Sequence, residues 1–178
     1  MTDPLTLVLH EIQRRGGIGR GNVAAEIAHA EQFAAAGGHP ATVVDLGSGG
    51  GLPGLVVAMR CPDAAVTLIE RRAKRADLLR YGIHALGIGD RVRVVERDVL
   101  DVIDDHPDLV DLVTARSFGP PQMVARCAAP LLHAGGLLVV SEPPGSVERW
   151  DGDSMAALGF SDSVRLGGVR RLVRAEGA

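Results

Sequence analysis

The sequence predicts an α/β fold, a mostly parallel seven-stranded sheet with helices on both faces and a C-terminal antiparallel hairpin. Three observations lead to this prediction. Strand-like apolar runs alternate five times with helical patterns after residue 41. Runs such as "TVVDL" are almost wholly apolar, which is typical of strands buried in a parallel sheet. Two more strand-like runs flank Gly167 and Gly168, a hairpin signal.

Two helices are expected before the sheet. Residues 4–14 carry apolar side chains at helical spacing, and "RRGGIGRG" then breaks the pattern. A second helix is predicted over 22–37, with Asn22 as its N-cap and Gly37 as its stop. We expect one domain over 1–178, with 1–40 as a helical N-terminal segment and 41–178 as a cofactor-binding α/β core.

The alternation of apolar runs and helical patterns after residue 41 predicts the remaining elements in order. Strands are predicted over 42–46, 65–70, 91–97, 110–115 and 135–142. The segments after them are predicted as helices over 53–60 and 72–86, a turn or short helix over 99–105, a helix over 121–132, and a weaker helix over 146–159. The hairpin covers 161–175. These connections favour a sheet with helices on both faces.

Composition restricts the class of protein. The 178 residues are 46% hydrophobic and 23% charged, as in a globular domain, and the net charge of −3 excludes a wholly basic nucleic-acid binder but not a local basic patch. Cys61 and Cys127 form no CxxC pair and are expected to be reduced thiols. Without a signal-peptide pattern or an apolar run of membrane-spanning length, we expect a cytoplasmic protein that meets no membrane.

The glycine-rich turn after the first strand indicates a ligand site. Five glycines fall between Gly47 and Gly54, where a ligand can approach the backbone at the carboxyl end of a strand. A triphosphate loop is disfavoured because no Lys follows Gly54. A dinucleotide pattern can be aligned to Gly49, Gly51 and Gly54, but any glycine cluster supplies such a match. The third option is S-adenosylmethionine, since Asp45 precedes Gly47-Ser48-Gly49.

Acidic residues at two strand ends favour S-adenosylmethionine, although Glu70 alone does not discriminate, because NAD enzymes place an acid there too. The Asp45 carboxylate would repel a pyrophosphate, but it suits a ligand that carries an ammonium and a sulfonium group. Glu70 could accept both ribose hydroxyls, or it could be a solvated charge. Asp98, or the backbone of Val99 beside it, could accept from the adenine amine; alternatively, Asp98 caps the helix that follows.

At this point the sequence resembles the RsmG (GidB) methyltransferases, a class I family that methylates N7 of a guanine in 16S ribosomal RNA. The resemblance covers residues 41–140 and rests on "DLGSGGGLPGLVVA", "VTLIERRAKRADLL", "DLVTARSFGP" and "PLLHAGGLLVV". It implies a Rossmann-like methyltransferase fold and a functional arginine at Arg116. It also implies S-adenosylmethionine as the cofactor, held by Asp45, Gly47, Ser48, Gly49, Gly51, Glu70, Arg71, Asp98, Val99 and Arg116.

Two segments depart from the family pattern. Family members carry Asn-Leu-Thr and Arg-His…Asp-Ser elements before the glycine turn, and residues 18–36 match neither. Glu142, in "SEPPG", stands near a position where the family has Lys. Two alternatives therefore stay open: a class I methyltransferase that acts on a small molecule, and a non-catalytic relative that binds the cofactor.

The expected chemistry needs no catalytic base. Guanine N7 has a free lone pair at neutral pH, so catalysis reduces to positioning and electrostatics. No catalytic triad is evident, and the six histidines show no metal-ligand spacing, so no metal is expected. Arg116 is the candidate catalytic residue, which would touch the base at O6 only or hold a flanking phosphate. The alternative for Arg116 is a structural ion pair with a carboxylate.

A basic rim predicts the substrate contacts. The basic residues of "ERRAKRADLLR" and "RRGGIGRG" could bind phosphates: Arg71, Arg72, Lys74, Arg75, Arg80 and Arg20. Phe118 could stack on a base. The alternatives are a solvated helix face paired with Asp77, and core packing of Phe118. We expect ribosomal RNA or the small ribosomal subunit as the partner of a monomeric protein.

Overall fold

The fold is taken from a computed structural model that describes residues 3–105, 109–143, 145 and 149–176. Its strands are β1 (Thr42–Leu46), β2 (Ala65–Ile69), β3 (Val92–Val95), β4 (Val110–Ala115), β5 (Leu132–Ser141), β6 (Phe160–Leu166) and β7 (Val169–Arg174). Its helices are α1 (Pro4–Arg14), α2 (Val23–Gly37), α3 (Gly54–Arg60), α4 (Ala73–Leu86), α5 (Val99–Ile103), α6 (Pro121–Ala128) and α7 (Gly152–Ala157).

The seven strands form one sheet in the order β3-β2-β1-β4-β5-β7-β6. Strands β1 to β5 run parallel to one another, whereas β7 runs antiparallel to both β5 and β6. The predicted mostly parallel sheet with a C-terminal antiparallel hairpin is therefore confirmed. The chain turns from β1 outward to β3 and then returns to β4, so the order reverses beside β1, where α/β folds bind their ligands.

Alternation of side chains along the strands builds two apolar layers. Val43, Leu112 and Val139 pack on one face with the apolar sides of α1, α2, α3 and α4. Their neighbours Val44 and Val113 point to the other face, where α5, α6 and α7 pack. Helices therefore cover both faces, as the near-continuous apolar strands predict.

The N-terminal helices have the expected bounds and caps. The Asn22 side chain accepts from the Ala25 N–H at 3.2 Å, which satisfies one free donor of the first turn of α2. The stop lies one residue later than predicted, because Gly38 rather than Gly37 takes the left-handed backbone (φ 70°). Buried side chains of both helices, among them Leu9 and Phe33, belong to the same apolar layer as α3 and α4.

Three of the predicted elements have wrong boundaries. The helix over 121–132 ends at Ala128 and continues as a 3-10 turn over Ala129–Leu131, because Pro130 has no N–H and its ring crowds the preceding turn. Strand β5 therefore begins at Leu132 instead of 135. The weak helix over 146–159 is shorter as α7, whose N-terminus is capped by Asp151. Residues 146–148 of that prediction lie outside the described residues.

Across the described ranges, no helix is long and apolar enough to cross a membrane. Cys61 and Cys127 are free thiols, and Cys127 is buried. In the same ranges, no three His, Cys, Asp or Glu side chains are grouped so that they could hold a metal ion.

Candidate active site

Strand register brings the predicted site residues to one edge of the sheet. Leu46, the last residue of β1, pairs with Ile69 at the end of β2 and with Ala115 at the end of β4. The glycine turn, Glu70 and Arg116 follow these three residues directly. The carboxyl ends of the central strands therefore share one edge.

The glycine turn needs its glycines for different reasons. Gly47, Gly49 and Gly51 all have positive φ, the left-handed region that side chains disfavour. At Gly47 a Cβ would also lie 2.7 Å from Cδ2 of Phe118, so the aromatic ring packs directly on the backbone. Phe118 also packs against the apolar layer, as the core alternative predicts, and it borders the cleft.

Glu70 connects the turn to the second strand. Its Oε2 accepts from the Gly49 N–H at 2.9 Å, and its Oε1 accepts from the Arg72 N–H at 2.8 Å. The residue is only 5% exposed, so it is not the solvated charge that the sequence left open. Each oxygen accepts one of these bonds and retains a further lone pair for a ligand.

Asp98 caps a helix and borders the site. One carboxylate oxygen accepts from the Leu100 N–H at 3.1 Å, and the other pairs with the Arg71 guanidinium at 3.1 Å. The helix N–H, followed by the Arg71 guanidinium, lowers the pKa of the Asp98 carboxyl below its usual value. The N-cap alternative is confirmed, and the carboxylate still faces the cleft.

An open cleft at this edge brings eight of the predicted residues together. It is bordered by Gly47, Glu70, Arg71, Asp98 and Val99 from the cofactor set and by Arg72, Arg75 and Phe118 from the substrate set. Sequence reasoning missed Ile69, Arg97, Ser117 and Met123, which complete the lining. Arg97 could have been found, because it also follows the end of β3.

Asp45 lies behind the cleft. It is fully buried, and its Oδ1 accepts from the Thr114 hydroxyl at 2.6 Å. Its Oδ2 has no hydrogen-bond partner among the described residues, and a Cβ on Gly54 would lie 2.6 Å from that oxygen. Burial raises the pKa of Asp45 to about 6, although the Thr114 hydroxyl opposes this shift. The side chain thus supports the glycine turn from beneath.

Ser48, Gly49 and Gly51 form the frame of the turn instead of its open surface. The Ser48 N–H donates to the Ile69 carbonyl at 2.8 Å, and its hydroxyl donates to the Asp45 carbonyl at 3.1 Å. The Gly51 N–H donates to the Ser48 carbonyl at 2.8 Å, which closes the turn before α3. These bonds hold the backbone of Gly47 at the cleft.

Arg116 extends from the end of β4 towards the N-terminal segment and is not among the residues that border the cleft. Its Nη2 forms a half-buried ion pair with the Glu26 carboxylate on α2. Its Nη1 is buried and has no hydrogen-bond partner among the described residues. The structural ion pair that the sequence allowed is present, and Glu26 is a neighbour that the sequence reasoning missed.

The loop between α1 and α2 packs on the glycine turn. A Cβ on Gly50 would lie 2.5 Å from the Gly17 carbonyl oxygen, so the two backbones touch. The Gln13 side chain donates to the carbonyls of Gly19 at 2.7 Å and of Gly21 at 2.9 Å, which holds this loop together. The N-terminal segment therefore supports the glycine turn from a side away from the cleft lining.

Three residues of the predicted basic rim stay outside the cleft lining. Arg20, Lys74 and Arg80 are exposed and do not border it. The alternative of a solvated helix face paired with Asp77 is confirmed at Arg80, whose guanidinium lies 2.8 Å from the Asp77 carboxylate.

Glu142 forms a buried ion pair with the C-terminal hairpin. Its carboxylate accepts from the Arg170 guanidinium at 2.8 Å, and both side chains are buried. The Arg170 Nη1 also donates to the Ser163 hydroxyl at 2.9 Å, so the contact spans β7 and β6. The residue near the family's Lys position thus has a structural partner in β7.

The sequence is similar to a family of known proteins. A sequence model of the family described as rRNA small subunit methyltransferase G (GidB) matches residues 25–143, more than half of the chain. The ribosomal RNA small subunit methyltransferase G of Rhizorhabdus wittichii is 35% identical over 132 residues, covering 70% of this chain and 59% of that protein. The protein of the same name from Salinispora arenicola is 43% identical over 103 residues, covering 56% and 43% respectively. The chain spans about half the length of these relatives.

The fold is similar to solved structures of low sequence identity. A methyltransferase from Geobacter sulfurreducens superposes with a TM-score of 0.73 at 18% identity, covering 98% of this chain and 90% of that chain. An O-methyltransferase from Bacillus cereus in complex with SAH gives a TM-score of 0.69 at 15% identity, covering 98% and 92%. These likenesses identify the class I methyltransferase fold.

Proposed function

The chain belongs to the rRNA small subunit methyltransferase G (GidB) family, and we propose that it transfers a methyl group from S-adenosylmethionine to RNA. The proposed acceptor is N7 of a guanine in the 16S RNA of the small ribosomal subunit. One observation carries the proposal: the Glu70 carboxylate and the backbone of Gly47 face one cleft at the carboxyl edge of a methyltransferase sheet. A cytoplasmic location follows from this proposed substrate, and the monomeric state stays a prediction.

The residues of the cleft fit the proposed cofactor. Glu70 retains acceptor capacity for ribose hydroxyls after its two backbone contacts, and Asp98 and Val99 also border the cleft, where adenine would lie beside them. Phe118 and Ile69 offer apolar contact to a ring. The cofactor would supply an electrophilic methyl group attached to a positively charged sulfur.

The chain's own contribution is positioning and charge. The Glu70 and Asp98 carboxylates in the lining, with Asp45 buried behind the turn, can attract the cationic groups of the cofactor, while Arg71, Arg72, Arg75 and Arg97 make the rest of the lining positive. Arg116 is proposed to act on the acceptor from the end of β4; this requires its side chain to turn from Glu26 towards the cleft, because its Nη2 is held by Glu26 and its Nη1 is buried. No side chain is required to remove a proton from guanine N7.

The substrate contacts are proposed for the basic side of the cleft. Arg72 and Arg75 border the cleft, and neither has an ion pair within the described ranges. Lys74 and Arg20 would add phosphate contacts further out, and Phe118 would support the target base by stacking. Salt-sensitive RNA binding is the expected property of such a rim.

Calorimetric titration with S-adenosylmethionine tests the cofactor site. Glu70→Ala is expected to weaken binding at least about tenfold, because it removes the ribose acceptor and leaves two backbone N–H groups without their partner. Glu31→Ala is the matched control, since Glu31 pairs with Arg60 on the surface and does not border the cleft. Equal affinity in the wild type and Glu70→Ala, or no binding by the wild type at millimolar ligand, would contradict the proposed site.

A further inference from the structure

Two arginines beyond the cleft have no described role in the fold. Arg126 on α6 and Arg149 before α7 are exposed, and neither forms a hydrogen bond or ion pair within the described residues. Both border a groove whose remaining lining is largely apolar: Leu100, Pro120, Pro121 and Met123. Leu100 is 59% exposed and Met123 is 40% exposed. The groove thus combines uncovered apolar surface with uncompensated positive charge.

Several other surface arginines differ from Arg126 and Arg149 because they form ion pairs. Arg14 pairs with Glu11, Arg60 with Glu31 and Arg80 with Glu96. The cations without such a partner in the described ranges include Arg72 and Arg75 on one side of the cleft. Arg126 and Arg149 are the corresponding unpaired cations on the other side.

The groove is continuous with the cleft. Met123 borders both of them, so the surface is not interrupted at α6. Phe118 and Ser117 also border a second hollow, whose outer wall includes Arg149 and Pro143. A strip of surface therefore runs from Arg75 across Phe118 and Met123 to Arg126.

From this strip we propose that a single-stranded RNA segment crosses the mouth of the cleft and that Arg126 and Arg149 bind phosphates flanking the target nucleotide. The inference rests on the proposed function and adds a second RNA contact to it. Apolar surface between cations suits nucleotides, because base faces take the apolar contacts and phosphates take the charges. The nearby carboxylates Asp98 and Asp105 are neutralised by Arg71 and Arg97.

Filter binding of unmodified, protein-free 16S ribosomal RNA across a salt series tests this inference. The variants are Arg126→Gln, Arg149→Gln and the double variant. We expect the double variant to bind RNA several-fold more weakly. Its negative slope of log affinity against log salt should become shallower by about 1.4, since each lost phosphate contact removes about 0.7. Arg60→Gln, the same charge change beside Glu31, is expected to leave the slope unchanged.

Calorimetry with S-adenosylmethionine on the same variants separates this inference from the cofactor site. Unchanged cofactor affinity together with the reduced salt slope supports the RNA contact. A double variant with the affinity and slope of the wild type overturns the inference and leaves the proposed function standing. If the wild type itself neither binds nor methylates RNA, the proposed function fails and the inference fails with it.

Discussion

Individual carboxylates have distinct tasks at the carboxyl edge of the sheet. Glu70 holds the glycine turn through the Gly49 N–H and still faces the cleft. Asp45, two residues before the turn, is fully buried and bonds to Thr114. The order of residues in the sequence placed both side chains at the carboxyl ends of their strands, as the structure has them. It could not separate them, because Asp45 is covered by the start of α3, where a Cβ on Gly54 would lie 2.6 Å from its carboxylate, and the sequence does not show this packing.

Asp45 should give the protein a pH-dependent stability of unusual sign. Burial raises the pKa of Asp45 in the folded state to about 6 from 3.8, so the protonated carboxyl stabilises the fold below pH 4 and this contribution is lost as the pH rises through 6. Between pH 4.5 and 7.5 the loss should reach about 2 kcal/mol, at about 1.4 kcal/mol for each pKa unit. Urea unfolding of the wild type and Asp45→Asn at both pH values measures it.

Asn cannot ionise, so the stability of Asp45→Asn relative to the wild type should rise by that amount between the two pH values. Parallel pH dependence of the two proteins would show that the Asp45 carboxyl does not carry a raised pKa.

The ion pair between Arg116 and Glu26 could be predicted only in part from the sequence. The sequence placed Arg116 at the correct strand end and offered an ion pair as the alternative. Its partner Glu26 lies 90 residues away in the chain. The sequence does not show how α2 packs relative to β4, so it cannot identify Glu26 as the partner among the other carboxylates.

At the scale of elements, the glycine turn is supported from two directions. Strand β2 supports it through the Ile69 carbonyl and Glu70, and the loop between α1 and α2 packs on it from outside. The first support could be predicted from the order of parallel strands. The second could not, because "RRGGIGRG" looks like a connection, and its contact with Gly50 depends on how α1 and α2 pack against the sheet.

Gly50→Ala should displace this loop. Its Cβ would meet the Gly17 carbonyl oxygen at 2.5 Å, and backbone cannot move aside as a flexible side chain can. We expect a loss of about 1–3 kcal/mol in the free energy of unfolding and faster tryptic cleavage at Arg20. Gly19→Ala in the same loop is the control, because nothing lies within 4 Å of its Cβ position. Similar cleavage rates in the two variants would mean that the loop does not depend on this contact.

The element boundaries show where local sequence signals succeed. Asn22 and Asp98, both of which the sequence offered as N-caps, each accept a backbone N–H at the start of a helix. Asp151 does so too, although it was not predicted as a cap. Side-chain caps are local, so the sequence can reveal them. The end of α6 was misplaced because Pro130 was assigned to the helix interior, where its missing N–H and its ring are not tolerated.

At the scale of the whole molecule, the sheet order and the two apolar layers follow from the alternation of strands and helices. The fold class was predictable because this pattern extends over most of the chain and few topologies accommodate it. The identity of the acceptor was not predictable from the fold, because the same sheet supports many methyl acceptors. Family membership and the basic surface around the cleft supply the reason to propose RNA.

Transfer of tritiated methyl groups from S-adenosylmethionine to unmodified 16S ribosomal RNA, small ribosomal subunits and total metabolites, assayed in parallel, tests the central claim most directly. The account predicts label in 16S RNA, located at guanine N7 by mass spectrometry of nucleosides, and loss of that label in Glu70→Ala. Label confined to metabolites, or no label on any acceptor while the cofactor binds, would contradict the claim that this protein is an RNA methyltransferase.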